Sequence, residues 1–222
     1  MNTSYLSLLI QPQAQKFGER VALKYRDYAT SMWIPVSWNQ FSEKVSKVSR
    51  ALVALGVQAQ ENIGVFSQNK PECLYTDFGA FGVRAVTVPL YATSSEAQVH
   101  YILQDAAIRF LFVGEQYQYD VASRVQNLCH TLKRIIVFDS SVKLAPGDTN
   151  SLYYEDFLAL GDNMELQQQV DKLTAESSPQ DLANILYTSG TTGESKGVML
   201  HHSCYEAAFK AHHGRLTTLG EQ

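Results

Sequence analysis

The sequence contains no long apolar run and no cluster of charges of one sign. Its 222 residues carry 18 Lys and Arg against 22 Asp and Glu, which gives a formal net charge of −4. Because the basic residues form no run, we expect no nucleic-acid-binding surface and no footprint on an anionic membrane. A transmembrane helix needs about 18 or more consecutive apolar residues. No stretch reaches this length, so we expect no transmembrane segment and leave peripheral membrane contact open.

Cysteine is also scarce. The three cysteines are Cys73, Cys129 and Cys204, an odd number at unrelated spacings. This usage fits reduced thiols better than a disulfide framework, and we expect a cytoplasmic protein. Hydrophobic residues make up 45% of the chain, an ordinary globular proportion that excludes intrinsic disorder and low-complexity scaffolds. A chain of this length can bury a sizeable core.

Short apolar segments alternate with helical patterns along most of the chain. The predicted strands are 62–66, 85–88, 109–113, 134–138 and 182–187, with Pro89 ending the second of them. The predicted helices are 37–55, 71–82, 94–104, 120–132 and 152–173. Strand, helix and strand in this order predict an α/β fold, with largely parallel sheets and helices on both faces.

The segment from Tyr187 to Gly197, YTSGTTGESKG, has the composition of a phosphate-binding loop. Its glycines allow successive backbone N–H groups to point at phosphate oxygens, its hydroxyls add donors, and Lys196 adds a positive charge. A Walker A loop is excluded, because Ser195 stands where that pattern requires Gly and Gly197 stands where it requires a hydroxyl. No G-x-S-x-G nucleophile elbow occurs here. A hairpin turn without a ligand is the alternative.

The stretch YTSGTTGESKGVMLHH resembles the phosphate-binding signature of adenylate-forming enzymes, which include the acyl-CoA synthetases. Ser195 replaces the proline that usually precedes the family's lysine. Upstream, VSWNQFSEKV, NIGVFSQNKPE and VPLYATSSEAQVHYILQD follow the family's order, and VPLYATSS is most similar to the long-chain fatty acyl-CoA synthetases. By this resemblance, the ATP-phosphate-binding residues are Thr188, Ser189, Gly190, Thr191, Thr192, Gly193 and Lys196.

The resemblance implies that residues 1–222 form the N-terminal portion of the AMP-binding large domain, an incomplete part without the C-terminal catalytic portion. We therefore expect no complete catalytic set in this chain, and no activity from it alone. The intact enzyme would be a long-chain-fatty-acid–CoA ligase using a fatty acid, ATP with Mg²⁺, and coenzyme A. Lys196, Thr191 and Thr192 would contact the departing pyrophosphate. The missing C-terminal part of the same polypeptide would be a further partner.

Two alternatives stay open at this point. The chain could be a non-catalytic nucleotide-binding or interaction module, or it could belong to a ligase of the same family acting on a different acid, such as an aryl acid.

A histidine- and cysteine-rich stretch follows the loop, but its spacing fits no standard zinc pattern, and we expect no metal site. Within this stretch, His202 matches a histidine that commonly follows the family signature. It could order the loop, with simple packing as the alternative.

Overall fold

The computed structural model describes residues 6–27, 30–188 and 195–213. In these ranges the strands are β1 (Val21–Asp27), β2 (Met32–Ser37), β3 (Asn62–Phe66), β4 (Val86–Leu90), β5 (Phe110–Val113), β6 (Arg134–Val137), β7 (Ser151–Tyr153), β8 (Leu182–Thr188) and β9 (Lys196–His201). The α-helices there are α1 (Ile10–Phe17), α2 (Trp38–Ala54), α3 (Pro71–Gly82), α4 (Glu96–Asp105), α5 (Gln116–Val125), α6 (Tyr154–Leu160), α7 (Gln167–Ala175) and α8 (His202–His213).

The strands form two sheets. β1 and β2 pair as an antiparallel ribbon, and the larger sheet has the order β7-β6-β5-β3-β4-β8-β9. In the larger sheet the described pairs are parallel, apart from the antiparallel pair of β8 and β9. This arrangement confirms the α/β fold with a largely parallel sheet.

Each face of the larger sheet is covered by its own hydrophobic core. In β5 the alternation is direct, because Phe110 and Phe112 enter one core while Leu111 and Val113 enter the other. The first core contains residues of α2, α3, α6 and α7, and the second contains residues of α4 and α5. Helices therefore cover both faces, as the sequence predicts.

The longest helix, α2, shows why its segment is helical. Ser37 and Gln40 form a capping box: the Gln40 N–H donates to Ser37 Oγ at 3.2 Å, and the Ser37 N–H donates to Gln40 Oε1 at 2.9 Å. Phe41, Val45 and Val48 then bury one face of the helix. The helix ends at Ala54, and Gly56 beyond it adopts a φ of 74°, as expected for a C-terminal glycine.

Three sequence predictions are wrong in detail. Pro89 lies inside β4, opposite Val65 of β3. Within the described part of the chain, β8 pairs with β4 only at Thr87, so no strand partner there needs the N–H that Pro89 lacks. The helix predicted for 120–132 is α5, which begins at 116 because Glu115 forms a capping box, and ends at Val125. The region 152–173 contains β7, α6, a short 3-10 helix and the start of α7 instead of one helix.

The order of connections places a crevice at the carboxyl edge of the larger sheet. From β3 the chain adds β4 on one side, and then adds β5, β6 and β7 on the other. Consequently α3 leaves the end of β3 toward one face, while α5 leaves the end of the adjacent β5 toward the other. In open α/β sheets, ligands bind where two neighbouring strands diverge in this way.

Candidate functional site

The predicted phosphate loop connects the two strands of the β8–β9 hairpin. Thr188 ends β8 and Lys196 begins β9, and the two are cross-strand partners with exposed side chains. Cross-strand partners project to the same face of a hairpin, so both side chains are available to one ligand. The remaining predicted phosphate-binding residues lie outside the described part of the chain: Ser189, Gly190, Thr191, Thr192 and Gly193.

The hairpin keeps its register through a close approach at Gly197. A Cβ atom at this position would lie 2.8 Å from Ile185 Cγ2 and 3.2 Å from Tyr187 Cζ. A larger residue would push β9 away from β8. Gly197 therefore holds Lys196 opposite Thr188.

A buried polar network anchors the hairpin to the rest of the sheet. Asn184 of β8, 8% exposed, donates from Nδ2 to Thr87 Oγ1 of β4 at 2.5 Å. The Tyr205 hydroxyl of α8 donates to Asn184 Oδ1 at 2.6 Å. The Asn184 side chain thus joins β8 to β4, which precedes the loop in the sequence, and to α8, which follows it. Sequence analysis did not identify this network, because an Asn in an apolar strand gives no sign of its partners.

His202 packs at the junction of β9 and α8. Its side chain is 1% exposed, its ring lies edge-on to Phe81 with 5.4 Å between centroids, and its backbone N–H donates to the Asp181 carbonyl at 3.1 Å. Burial lowers the pKa of the imidazole, which keeps it neutral at pH 7. These contacts dock the start of α8 against α3. A role in ordering the loop stays a prediction.

A cleft of about 1130 Å³ opens at the same carboxyl edge, between the β1–β2 ribbon and the ends of β3 and β4. Pro89 and Leu90 of β4 line it, and β4 runs parallel to β8, so the cleft and the end of β8 lie on the same side of the sheet. Trp33 of the ribbon and Leu74 of α3 form apolar walls.

Asp77 of α3 is the most perturbed acid in this cleft. Burial raises the pKa of its carboxyl group from 3.8 to about 7, and a hydrogen bond from Thr87 opposes this shift only in part. Among the residues that the structure describes, no Lys, Arg or His forms an ion pair with it. Sequence analysis missed Asp77, and its one signal was a second acidic residue within the largely apolar helix 71–82.

Two other carboxylates of the cleft are compensated. Lys70, just before α3, places Nζ 3.4 Å from Glu115 Oε1 and 3.7 Å from Asp139 Oδ2. Gln68 also donates from Nε2 to Glu115 Oε2 at 3.1 Å. These groups lie where β3 and β5 diverge, and Lys70 offsets the charge of both carboxylates.

Within 6–27, 30–188 and 195–213, no group of three or more His, Cys, Asp or Glu side chains could hold a metal ion. The helices of these same ranges include none that is both long and apolar enough to cross a membrane.

Comparison with known proteins identifies the family. The family model for AMP-binding enzymes matches residues 10–219, nearly the whole sequence. The chain therefore belongs to the AMP-binding enzyme family, as the loop and the α/β sheet indicate.

Individual relatives are much longer than this chain. It is 29% identical over 194 residues to a long-chain-fatty-acid–CoA ligase of Xenopus laevis, covering 87% of this chain and 26% of the relative. It is 32% identical over 174 residues to a fatty acyl-CoA synthetase of Dictyostelium discoideum, covering 76% of this chain and 25% of the relative. The chain thus spans about a quarter of the length of these two curated relatives.

A solved structure shares the fold. The crystal structure of an anthranilate CoA ligase in complex with anthranoyl-AMP superposes with a TM-score of 0.74 at 23% identity. The match covers 89% of this chain and 35% of that one. At this level of identity, the likeness supports the fold alone.

Proposed function

We propose that the segment from Thr188 to Lys196 binds the triphosphate of ATP. The supporting observation is the hairpin geometry, which presents Lys196 and Thr188 to one side at the carboxyl edge of the sheet. The Lys196 ammonium would offset phosphate charge, and the glycine- and hydroxyl-rich connection would supply hydrogen-bond donors. The full proposed set is Thr188, Ser189, Gly190, Thr191, Thr192, Gly193 and Lys196.

We further propose that a polypeptide containing this segment activates a carboxylic acid in two steps. The carboxylate oxygen attacks the α-phosphorus of ATP, pyrophosphate leaves, and an acyl-adenylate forms. The thiolate of coenzyme A then attacks the acyl carbon, and AMP leaves. Lys196 and the hydroxyls of Thr191 and Thr192 would stabilise charge on the departing pyrophosphate. When bound to ATP, Mg²⁺ would neutralise part of the same charge.

The names of the relatives support a long-chain fatty acid as the substrate. An aryl acid is the second candidate, because the anthranilate CoA ligase has the same fold. An apolar acyl chain and an aromatic ring differ in length and shape, so a panel of acids separates the two. Palmitate, octanoate, benzoate and anthranilate are suitable members.

Nucleotide binding can be tested on this chain directly. Isothermal titration calorimetry with Mg·ATP should show binding to the native chain, and Lys196→Ala should weaken it by about tenfold or more, as expected for the loss of a charge-assisted contact. Lys172→Ala removes the same charge from an exposed position on α7 and serves as the matched control. Equal affinity of the two variants would exclude the proposed role of Lys196.

Turnover distinguishes the enzyme from a non-catalytic module. AMP release should be followed with ATP, coenzyme A and each acid, both for this chain and for a chain extended to the length of its relatives. We expect acid-dependent AMP release from the extended chain. ATP binding without AMP release from either chain would favour the non-catalytic nucleotide-binding module.

A further inference from the structure

The cleft beside the β1–β2 ribbon has the placement of a ligand site separate from the loop. It is lined by the ends of β3 and β4 and by the start of α3, and it reaches Glu115 at the start of α5. This is where β3 and β5 send their helices to opposite faces of the sheet, the position at which open α/β sheets bind small molecules.

Asp77 gives this cleft a specific chemical preference. Its carboxyl group faces the cleft without a paired cation in the described ranges. Two hydrogen bonds order the polar groups that neighbour it: Tyr205 donates to Asn184, and Asn184 donates to Thr87, which lies beside Asp77. A carboxylate that lines a cleft and has no paired cation is suited to hold a cation.

The charge of the lining agrees with this preference. Five carboxyl groups line the cleft: Asp27, Glu72, Asp77, Glu115 and Asp139. Three cations line it: Lys24, Arg26 and Lys70. The excess of negative charge disfavours an anionic ligand and attracts a cationic one.

The ribbon contributes two aromatic side chains to the lining. Trp33 is 61% exposed and Tyr25 is 36% exposed, and both belong to the ribbon that bounds the cleft. Aromatic faces attract ammonium groups and also cover apolar surface. With Leu74 on the α3 side, 43% exposed, the cleft combines apolar walls with the Asp77 carboxylate.

We propose that this cleft binds an organic cation, an ammonium group carried on an aromatic or aliphatic body, with the Asp77 carboxylate facing the ammonium and Trp33 covering the body. The proposal concerns a site distinct from the loop at 188–196 and does not depend on ATP binding. The test therefore contains no nucleotide.

Benzyltrimethylammonium is a suitable probe, with benzyl alcohol as the neutral analogue and phenylacetate as the anionic one. Titration calorimetry at pH 8, where a carboxyl of pKa about 7 is mostly ionised, should detect the cation and show at least about tenfold weaker binding of both analogues. Asp77→Asn keeps the shape of the side chain, removes its negative charge, and should weaken cation binding by about tenfold or more.

Two further variants complete the test. Trp33→Leu changes an exposed side chain, so the chain should still fold while binding weakens severalfold. Asp156→Asn removes an exposed carboxylate of α6 outside the cleft and should leave binding unchanged. Absence of cation binding to the native chain, equal binding of benzyl alcohol or phenylacetate, or unchanged binding to Asp77→Asn would each overturn the proposal.

Discussion

Replacing Asp77 with Asn should stabilise the fold at neutral and alkaline pH. The folded state raises the pKa of this carboxyl group from 3.8 to about 7, so folding favours its protonated form. Below about pH 4 the Asp77 carboxyl group is largely protonated in both the folded and the unfolded chain, so it does not lower the free energy of unfolding. As the pH rises from about 4 to 7, the unfolded chain ionises before the folded chain does, and stability falls. Asn stays neutral throughout and avoids this loss.

The size of the effect follows from the shift. About three pKa units correspond to about 4 kcal/mol at full effect. Because Asp77 keeps some access to water through the cleft, we expect about half of this, about 2 kcal/mol in favour of Asp77→Asn above pH 7. The ionisable groups that interact with it are Cys73 on α3 and Tyr205 on α8. Neither of these supplies a compensating positive charge.

Urea unfolding at pH 4.5, 6, 7.5 and 8.5 would measure this difference for the native chain and Asp77→Asn. The difference in the free energy of unfolding should grow between the first and third pH values and then level off. Asp156→Asn removes an exposed carboxylate outside the cleft and controls for the change in net charge. If the free energy of unfolding depended on pH in the same way for the native chain and Asp77→Asn, the interpretation that burial raises the pKa of Asp77 would be refuted.

Two other substitutions test how the hairpin is held. Asn184→Ala should lower the free energy of unfolding by about 2–3 kcal/mol, because it leaves Thr87 and Tyr205 without their shared buried partner. Tyr205→Phe should lower it by about 1 kcal/mol. Equal losses for the two variants in thermal unfolding would contradict the central place of Asn184 in the network. Gly197→Ala should lower the free energy of unfolding by about 1–3 kcal/mol, because its Cβ would meet Ile185 Cγ2 at 2.8 Å. Gly147 lies in open space at a φ of 78°, so Gly147→Ala measures the cost of backbone strain alone. A larger loss of stability for Gly147→Ala than for Gly197→Ala would show that β9 shifts to accommodate the added Cβ.

The strands of the larger sheet could be predicted from the sequence because they are short apolar runs, which fit a buried strand better than a helix or a loop. Segments 62–66 and 71–82 match β3 and α3, and 182–187 matches β8 to within one residue. Buried parallel strands give continuous apolar runs, which is a strong local signal.

The region 152–173 could not be predicted in the same way. Its break depends on Gly161, where the chain approaches the backbone of Lys47 on α2 so closely that a Cβ would collide with it. That contact joins residues more than a hundred positions apart, and no local pattern reports it. The start of α5 was missed for a different reason, since a Glu at the N-cap is a weak signal compared with Ser or Thr.

The loop was found from its composition, whereas the cleft was not. Gly, Thr, Ser and Lys between two apolar runs form a local pattern, and local patterns can be seen in one sequence. Asp77, Trp33 and Asp139 come from three separate segments, and only the topology brings them to one cleft. Ionisable residues of this kind are therefore identified from the fold and not from spacing.

The hydrogen bonds from Tyr205 through Asn184 to Thr87 also have a thermodynamic consequence. Each bond in such a series polarises the next, so the bond from Asn184 to Thr87 strengthens the bond from Tyr205 that ties α8 to β8. Coupling of this kind is reciprocal. Whatever fixes α8, which follows directly from the strand that Lys196 begins, therefore also strengthens the attachment of β8 to β4.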